Sequence, residues 1–371
     1  MTGLRGHFGD RDRLNVLGSV SKYQGNPMAS DQEPLTEPQN PLPPVEPPSA
    51  SFLLQLFVIP MVIVTIIVMV WLMLNWLAHM GSNPQHLVRD LHKLNDASWQ
   101  KALTLADLLR NPDYDHLKSD PEMADELAAI LTQQLDSGSN DEKPIRLRMF
   151  LCRALGEFRT PTALPPLLAA AAHERDLRDI DVRRAALEAI AVFATHSDQS
   201  ELPHREQVMD VLRAASRERA DGPEERIARS EIRSTAAYAL GVVGGPEATD
   251  RLELMLSDAY ANTRYNAALG LVRHGDVRAT PILLEMLDPA NRKSAESEEH
   301  EGGRASKRLM VITNGIRGAA ELAENNTVDD LAPIVAALQG VVDSDLELFP
   351  SRSHSGIRIK AEEVLIALRG R

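Results

Sequence analysis

Apolar residues follow two different patterns along the chain. From Phe52 to Leu77 they run almost unbroken (FLLQLFVIPMVIVTIIVMVWLMLNWL), and no Asp, Glu, Lys or Arg occurs between Glu46 and Arg89. A helix needs about 20 apolar residues to cross the hydrocarbon of a bilayer, so this run predicts one transmembrane helix over 52–78. Pro60 is tolerable inside such a helix, and Trp71 and Trp76 stand where an interfacial belt lies. A cleaved signal peptide has a core of about 7–15 residues, with basic residues before it and a small-x-small site after it. The run here is longer, follows an acidic Pro-rich stretch and ends in NWLAHM.

Beyond residue 81 the spacing is helical almost throughout, and nothing alternates as a strand over more than a few residues. Ser119-Asp120-Pro121-Glu122 is a start signal, with capping-box spacing from Ser119 to Glu122 and proline in the first turn. Met123, Leu127, Ile130, Leu131 and Leu135 then keep one helical face. Four segments share a register: RMFLCRALGEF from Arg148, RRAALEAIAVF from Arg183, RSTAAYALGVVG from Arg233 and RYNAALGLVRHG from Arg264, with IRIKAEEVLIAL around Arg358 as a fifth. Small or apolar residues recur three or four, six or seven, and eight places after each Arg. Pro165, Asp250 and Pro281 stand seventeen places after theirs, each near the start of a second apolar run (LLAAA, LELML, ILLEML). Small residues let a neighbouring helix approach, leucines fill the seam, and only a stack of such pairs buries its apolar face. The alanines and leucines of the register are therefore core, and the fold class is all-α: a solenoid of helix pairs.

Composition agrees. Of 371 residues 43% are hydrophobic but only 4% aromatic, a makeup few strand-rich folds manage with. The net charge of -13 argues against a nucleic-acid binder, which normally presents a basic field. Cys152 is the single cysteine, which excludes a disulfide framework and a multi-thiolate metal site within one chain; its apolar helical setting marks it as a small buried hydrophobe.

These signals divide the chain into a disordered, acidic, Pro-rich tail (1–50), the transmembrane helix (52–78), a helical N-terminal cap (81–142) and a repeat domain (143–371) with a flexible insertion at 289–306. The tail holds seven prolines between Pro34 and Pro48 and cannot bury enough apolar area to offset its ordering entropy. Arg89, Lys93 and Lys101 follow the span, while residues 29–51 carry no Lys or Arg, so the positive-inside rule places the repeat domain in the cytoplasm. Arg5, Arg11, Arg13 and Lys22 oppose this from further upstream, and they vanish if translation begins at Met28 rather than Met1.

The stretches DVRRAALEAI (Asp181–Ile190) and NTRYNAALGLVRHGD with ATPILLEMLD after it resemble HEAT repeats, closest to the short phycobilisome-lyase HEAT-like subtype. The likeness covers roughly 144–290 well and 305–370 loosely; Arg gaps of 35, 50 and 31 residues make the array irregular. The resemblance implies a ladder of Arg148, Arg183, Arg233, Arg264 and Arg358 between repeats, with Asp181 serving Arg183 and Glu231 serving Arg233. Arg264 has Asn262 at the equivalent place.

No phosphate-binding Gly-rich loop, nucleophile elbow or H-E-x-x-H sequence is present. His173-Glu174 and His300-Glu301 are similar to the His-Glu pairs with which the HEAT-like deoxyhypusine hydroxylases bind iron, but they share no repeat register and converge on no single site. The reading is therefore a membrane-anchored protein–protein interaction scaffold or adaptor, with no catalytic residue, metal or cofactor. A lyase- or hydroxylase-like enzyme using the solenoid groove is the alternative, and a self-associating structural envelope component is the third reading. Signature positions one, two and five places after the Arg point away from the seam. They hold Phe150, Arg153, Arg184, Glu188, Tyr238, Tyr265 and Asn266, the candidate binding residues, since aromatic and Arg side chains are the usual anchors of interfaces.

Overall fold

The computed structural model describes residues 49–80, 84–137, 139–197, 202–296, 298, 300–344 and 351–370. Apart from its last two residues the expected N-terminal tail, with Met28, lies outside the described residues.

Helix α1 (Ala50–Met80) has Pro60 in its interior and no acidic residue in its first turn. Phe52 and the apolar side chains from Leu54 to Trp76 are exposed, and Ala50–Trp76 is long and apolar enough to cross a membrane. The hydroxyl of Thr65 is satisfied within the helix, donating to the Met61 carbonyl at 2.8 Å.

Among the described residues fourteen further α-helices follow: α2 (Pro84–Leu91), α3 (Ser98–Arg110), α4 (Pro121–Ser137), α5 (Glu142–Gly156), α6 (Leu164–Ala172), α7 (Ile180–Thr195), α8 (Arg205–Ser216), α9 (Arg226–Val243), α10 (Pro246–Met255), α11 (Ala261–Val272), α12 (Thr280–Leu287), α13 (Glu301–Asn325), α14 (Ala332–Asp343) and α15 (Ser351–Arg369). Among the described residues there is no strand. The odd-numbered helices stack in chain order, α3 on α5, α5 on α7, α7 on α9, α9 on α11, α11 on α13 and α13 on α15. The even-numbered ones form a second layer, α2 with α4, α4 with α6, α6 with α8, α8 with α10 and α12 with α14. This two-layer succession is an α-solenoid, and one continuous apolar core runs between the layers from Leu87 to Leu365.

Small residues allow the first layer to close up. A Cβ on Gly241 of α9 would stand 2.5 Å from the Cα of Gly270 on α11, and one on Gly156 of α5 would stand 2.8 Å from the Cα of Ala189 on α7. Both are inside contact distance, so only glycine fits at these crossings. Capping at α4 differs from expectation in one detail. Asp120, not Ser119, caps the helix, its Oδ1 accepting from the amides of Glu122 (3.0 Å) and Met123 (3.2 Å). Pro121 is the first helical residue, which makes Asp120 the capping position.

The repeat arginines do form a ladder, with other partners than the resemblance implies. Each reaches back to a carbonyl in the last turn of the preceding second-layer helix or just beyond it: Arg148 to Gln134 (3.2 Å), Arg183 to Ala171 (3.0 Å), Arg233 to Glu218 (3.1 Å), Arg264 to Asp258 (2.8 Å) and Arg358 to Ser344. Four of them also meet a carboxylate supplied from further along the chain. Arg148 meets Asp179 at 3.3 Å, Arg183 meets Glu218, Arg233 meets Asp258 at 2.7 Å and Arg264 meets Glu285 at 2.5 Å. Helix ends leave orphan carbonyls at the negative pole of the macrodipole, so a cation is favoured there. Asp181 and Glu231 do not serve Arg183 and Arg233; both turn to Arg184, at 3.9 and 3.5 Å. Residues two apart on a helix do not share a face, so an acid two places before the Arg points elsewhere.

The segment 289–306, expected as a flexible insertion, is structured in part. Lys293–Ala295 forms a 3-10 turn with Ser294 and Ala295 buried, and from Glu301 onward the residues belong to α13. Arg308, buried within α13, holds Glu301 at 3.1 Å and fixes that first turn.

Candidate functional site

Five of the seven candidate binding residues line one groove, of about 550 Å3, across the exposed face of the first layer. Arg184 and Glu188 come from α7, Tyr238 from α9, and Tyr265 and Asn266 from α11; α13 closes the far side with Lys307, Met310 and Asn314. They meet because consecutive odd helices pack side by side and set these positions next to one another.

The groove is polar at one end and mixed at the other. Arg184 is half-buried and shares its guanidinium between Glu231 and Asp181, and its Nε, buried, has no hydrogen-bond partner. Glu231 also accepts from the Tyr260 hydroxyl, which in turn accepts from Asn262 Nδ2 at 2.9 Å. Asn266 Nδ2 donates to the Ser234 carbonyl at 2.9 Å and to its hydroxyl at 3.1 Å, tying α11 to α9. The Tyr238 ring is half-buried beneath the Arg273 guanidinium, 5.4 Å from its centroid. Glu188 and Lys307 line the same groove, and neither makes an ion pair with another described residue. Met310 is 48% exposed, which leaves a flexible apolar side chain beside these charges.

Tyr265 departs from the expectation that its position points into solvent. Only 4% of it is exposed; its hydroxyl donates to Glu285 at 2.9 Å and accepts from Asn291 Nδ2 at 2.9 Å. Burial, with the Glu285 carboxylate beside it, pushes the phenol well above its ordinary pKa, so it stays protonated and donating. It is the floor of the groove and a tie to α12 and the turn after it. Phe150 and Arg153 do not reach the groove. Phe150 is half-buried and stacks on Trp99 of α3 with centroids 6.3 Å apart, and Arg153 lies over its ring at 5.4 Å.

Helix α13 is the part of the groove that sequence reasoning missed. Its signal was present: Arg308 is followed at three, four, seven and eight places by Val311, Ile312, Gly315 and Ile316, the register of the other repeats. The charged run ahead of it hid the match. Glu174 of the first His-Glu pair is held by Arg183 and Arg229 (2.7 Å to Arg229). Among the described residues no three His, Cys, Asp or Glu side chains gather around a point that could hold a metal ion.

A family model described as HEAT repeats matches residues 224–298, from the turn ahead of α9 to the segment before α13, and supports a HEAT-repeat protein. HEAT repeats generally mediate protein–protein interaction. No curated protein matches the chain.

Proposed function

We propose that the chain is a membrane-held scaffold that receives a segment of a partner protein in the groove between α7 and α13. One observation carries the reading. Glu188, Lys307 and exposed Met310 line a groove built on the repeat register, beside half-exposed Tyr238, and the hydrophobic core includes none of the first three. Charges without internal partners beside a methionine and an aromatic ring are what an interface core with a polar rim needs. α1 supports the membrane half of the reading, because an exposed apolar surface of that length has no place in water. The Arg89, Lys93 and Lys101 cluster supports a cytoplasmic array.

A photo-crosslinking residue at Met310 tests the groove, with one at Leu254, 65% exposed on α10 of the other layer, as the control. The expected result is a discrete adduct from Met310 alone, lost in the Glu188→Lys/Lys307→Glu double variant while the melting temperature holds. Surface substitutions of this kind change stability by only about 0.5 kcal/mol. Equal adducts from both positions, or adducts indifferent to the charge reversal, overturn the reading.

A further inference from the structure

A second and larger cleft, of about 2000 Å3, opens along the turns that join the second layer to the first between α8 and α13. Its charge is opposite in sign to that of the protein as a whole. The carboxylates along it are mostly spent: Glu218 on Arg183 and Arg229, Asp258 on Arg233, and Glu285 on Arg264. The cations are not. Arg217, Arg219, Arg226, Arg292 and Lys293 are exposed, and none of their side chains makes an ion pair or hydrogen bond with another described residue. Among the described residues that line the cleft, Asp288 and Glu296 are the acids left to set against them. Arg251 lies deeper, held by hydrogen bonds to the Ser216 hydroxyl (2.7 Å) and carbonyl (2.8 Å); burial, and then the nearby Arg217, lower its pKa. Cations are thus crowded together in a protein whose net charge is -13. On the lip, Ile227 is 64% exposed.

We propose that this cleft receives an acidic, extended segment of a partner protein, with its carboxylates on Arg217, Arg219, Arg226 and Arg292 and an apolar side chain against Ile227. Guanidinium forks match carboxylates bidentately, and an exposed isoleucine among them has a use only for a ligand with apolar side chains. The volume exceeds the ~300–1,000 Å3 of a small-molecule site, which favours a polypeptide over a metabolite. Nucleic acid and anionic lipid fit less well, since the paired carboxylates interleaved with the arginines and the acidic charge of the whole chain repel a continuous phosphate surface. The arginines of this site lie outside the groove of α7 to α13, with which it shares Asn262 at the edge, so each stands or falls by itself.

The test is fluorescence anisotropy on the full chain in detergent, using a labelled decapeptide of Asp and Glu with one central Leu. The same peptide with Asn and Gln in place of the acids is the control. The acidic peptide should bind, weaken steeply with added salt and lose affinity by about tenfold or more in the Arg217→Glu/Arg226→Glu/Arg292→Glu variant. Those three side chains are exposed, so the melting temperature should hold. Glu188→Lys/Lys307→Glu should bind the peptide as the unaltered chain does. Equal binding of the neutral peptide, or an unaffected triple variant, overturns the proposal. So does tighter, equally Arg-dependent binding of a single-stranded oligonucleotide or of phosphatidylserine vesicles, which would assign the cleft to phosphate.

Discussion

Cys152 shows how far one residue's setting decides its chemistry. It is fully buried on α5, and burial pushes its thiol up to about 12, so it carries no thiolate at neutral pH and is the inert packing residue its apolar surroundings predict. His173 and His196 are a less quiet pair. Burial lowers the pKa of each below its ordinary 6.5, and the Nε2 of each is buried without a partner. A folded-state pKa below the unfolded one means that the unfolded chain takes up protons first. Stability is therefore complete above about pH 6.5 and declines as pH falls below it. Glu174 and Asp276 add a second loss at lower pH, because hydrogen bonds from Arg229 and Arg278 hold them below their usual values. Melting temperature against pH should thus fall in two stages, and His173→Gln/His196→Gln should flatten the upper one. An unchanged upper stage in that variant would remove the histidines from the account.

Between elements, the close crossing of α9 and α11 is the most exacting contact. A leucine at Gly241 has no room beside Gly270, since even its Cβ would sit 2.5 Å from the opposing Cα. Overpacking of this kind costs about 1–3 kcal/mol or more, so Gly241→Leu should lower the melting temperature by several degrees. Gly302→Leu, with no atom near its Cβ, should not. Comparable melting temperatures for the two would show that the helices can part at no cost. The glycines, alanines and leucines of this seam were legible in the sequence because a helix repeats every 3.6 residues and the packing demand repeats with it. The ladder's acids were not, because they come from further along the chain across connections of unequal length: Asp258 lies 25 residues after Arg233, and Glu218 lies 35 after Arg183. Arg184, Glu188, Tyr238 and Asn266 were legible as groove residues from their offsets alone. The burial of Tyr265 was hidden, since it depends on Glu285 and Asn291 folding over it. Lys307 and Met310 were lost behind the charged run that precedes them.

For the whole molecule, the apolar helix and the helical array make separate demands. The full chain should remain in the membrane pellet after an alkaline carbonate wash, and a chain beginning at Pro84 should not. Release of the full chain, or a mature N-terminus beyond Met80, would end the anchor reading. Because the native thiol is buried and protonated, a Gly302→Cys variant reports sidedness alone: it should react with an impermeant reagent only after lysis, and reaction in intact cells would place the array outside the cytoplasm. The arginine ladder carries a further consequence for how such a chain can be made and shortened. Arg148, Arg233 and Arg264 each wait for a carboxylate translated later, so a nascent chain that stops short of Asp179, Asp258 or Glu285 ends on a cation still unanswered. Cut after Gly244, the array would leave Arg233 without Asp258; cut before Glu285, it would strand Arg264. Gain or loss of whole repeats therefore carries an electrostatic debt at the new end, and lengths that recruit a substitute acid or expose the last arginine to water are the ones that can persist.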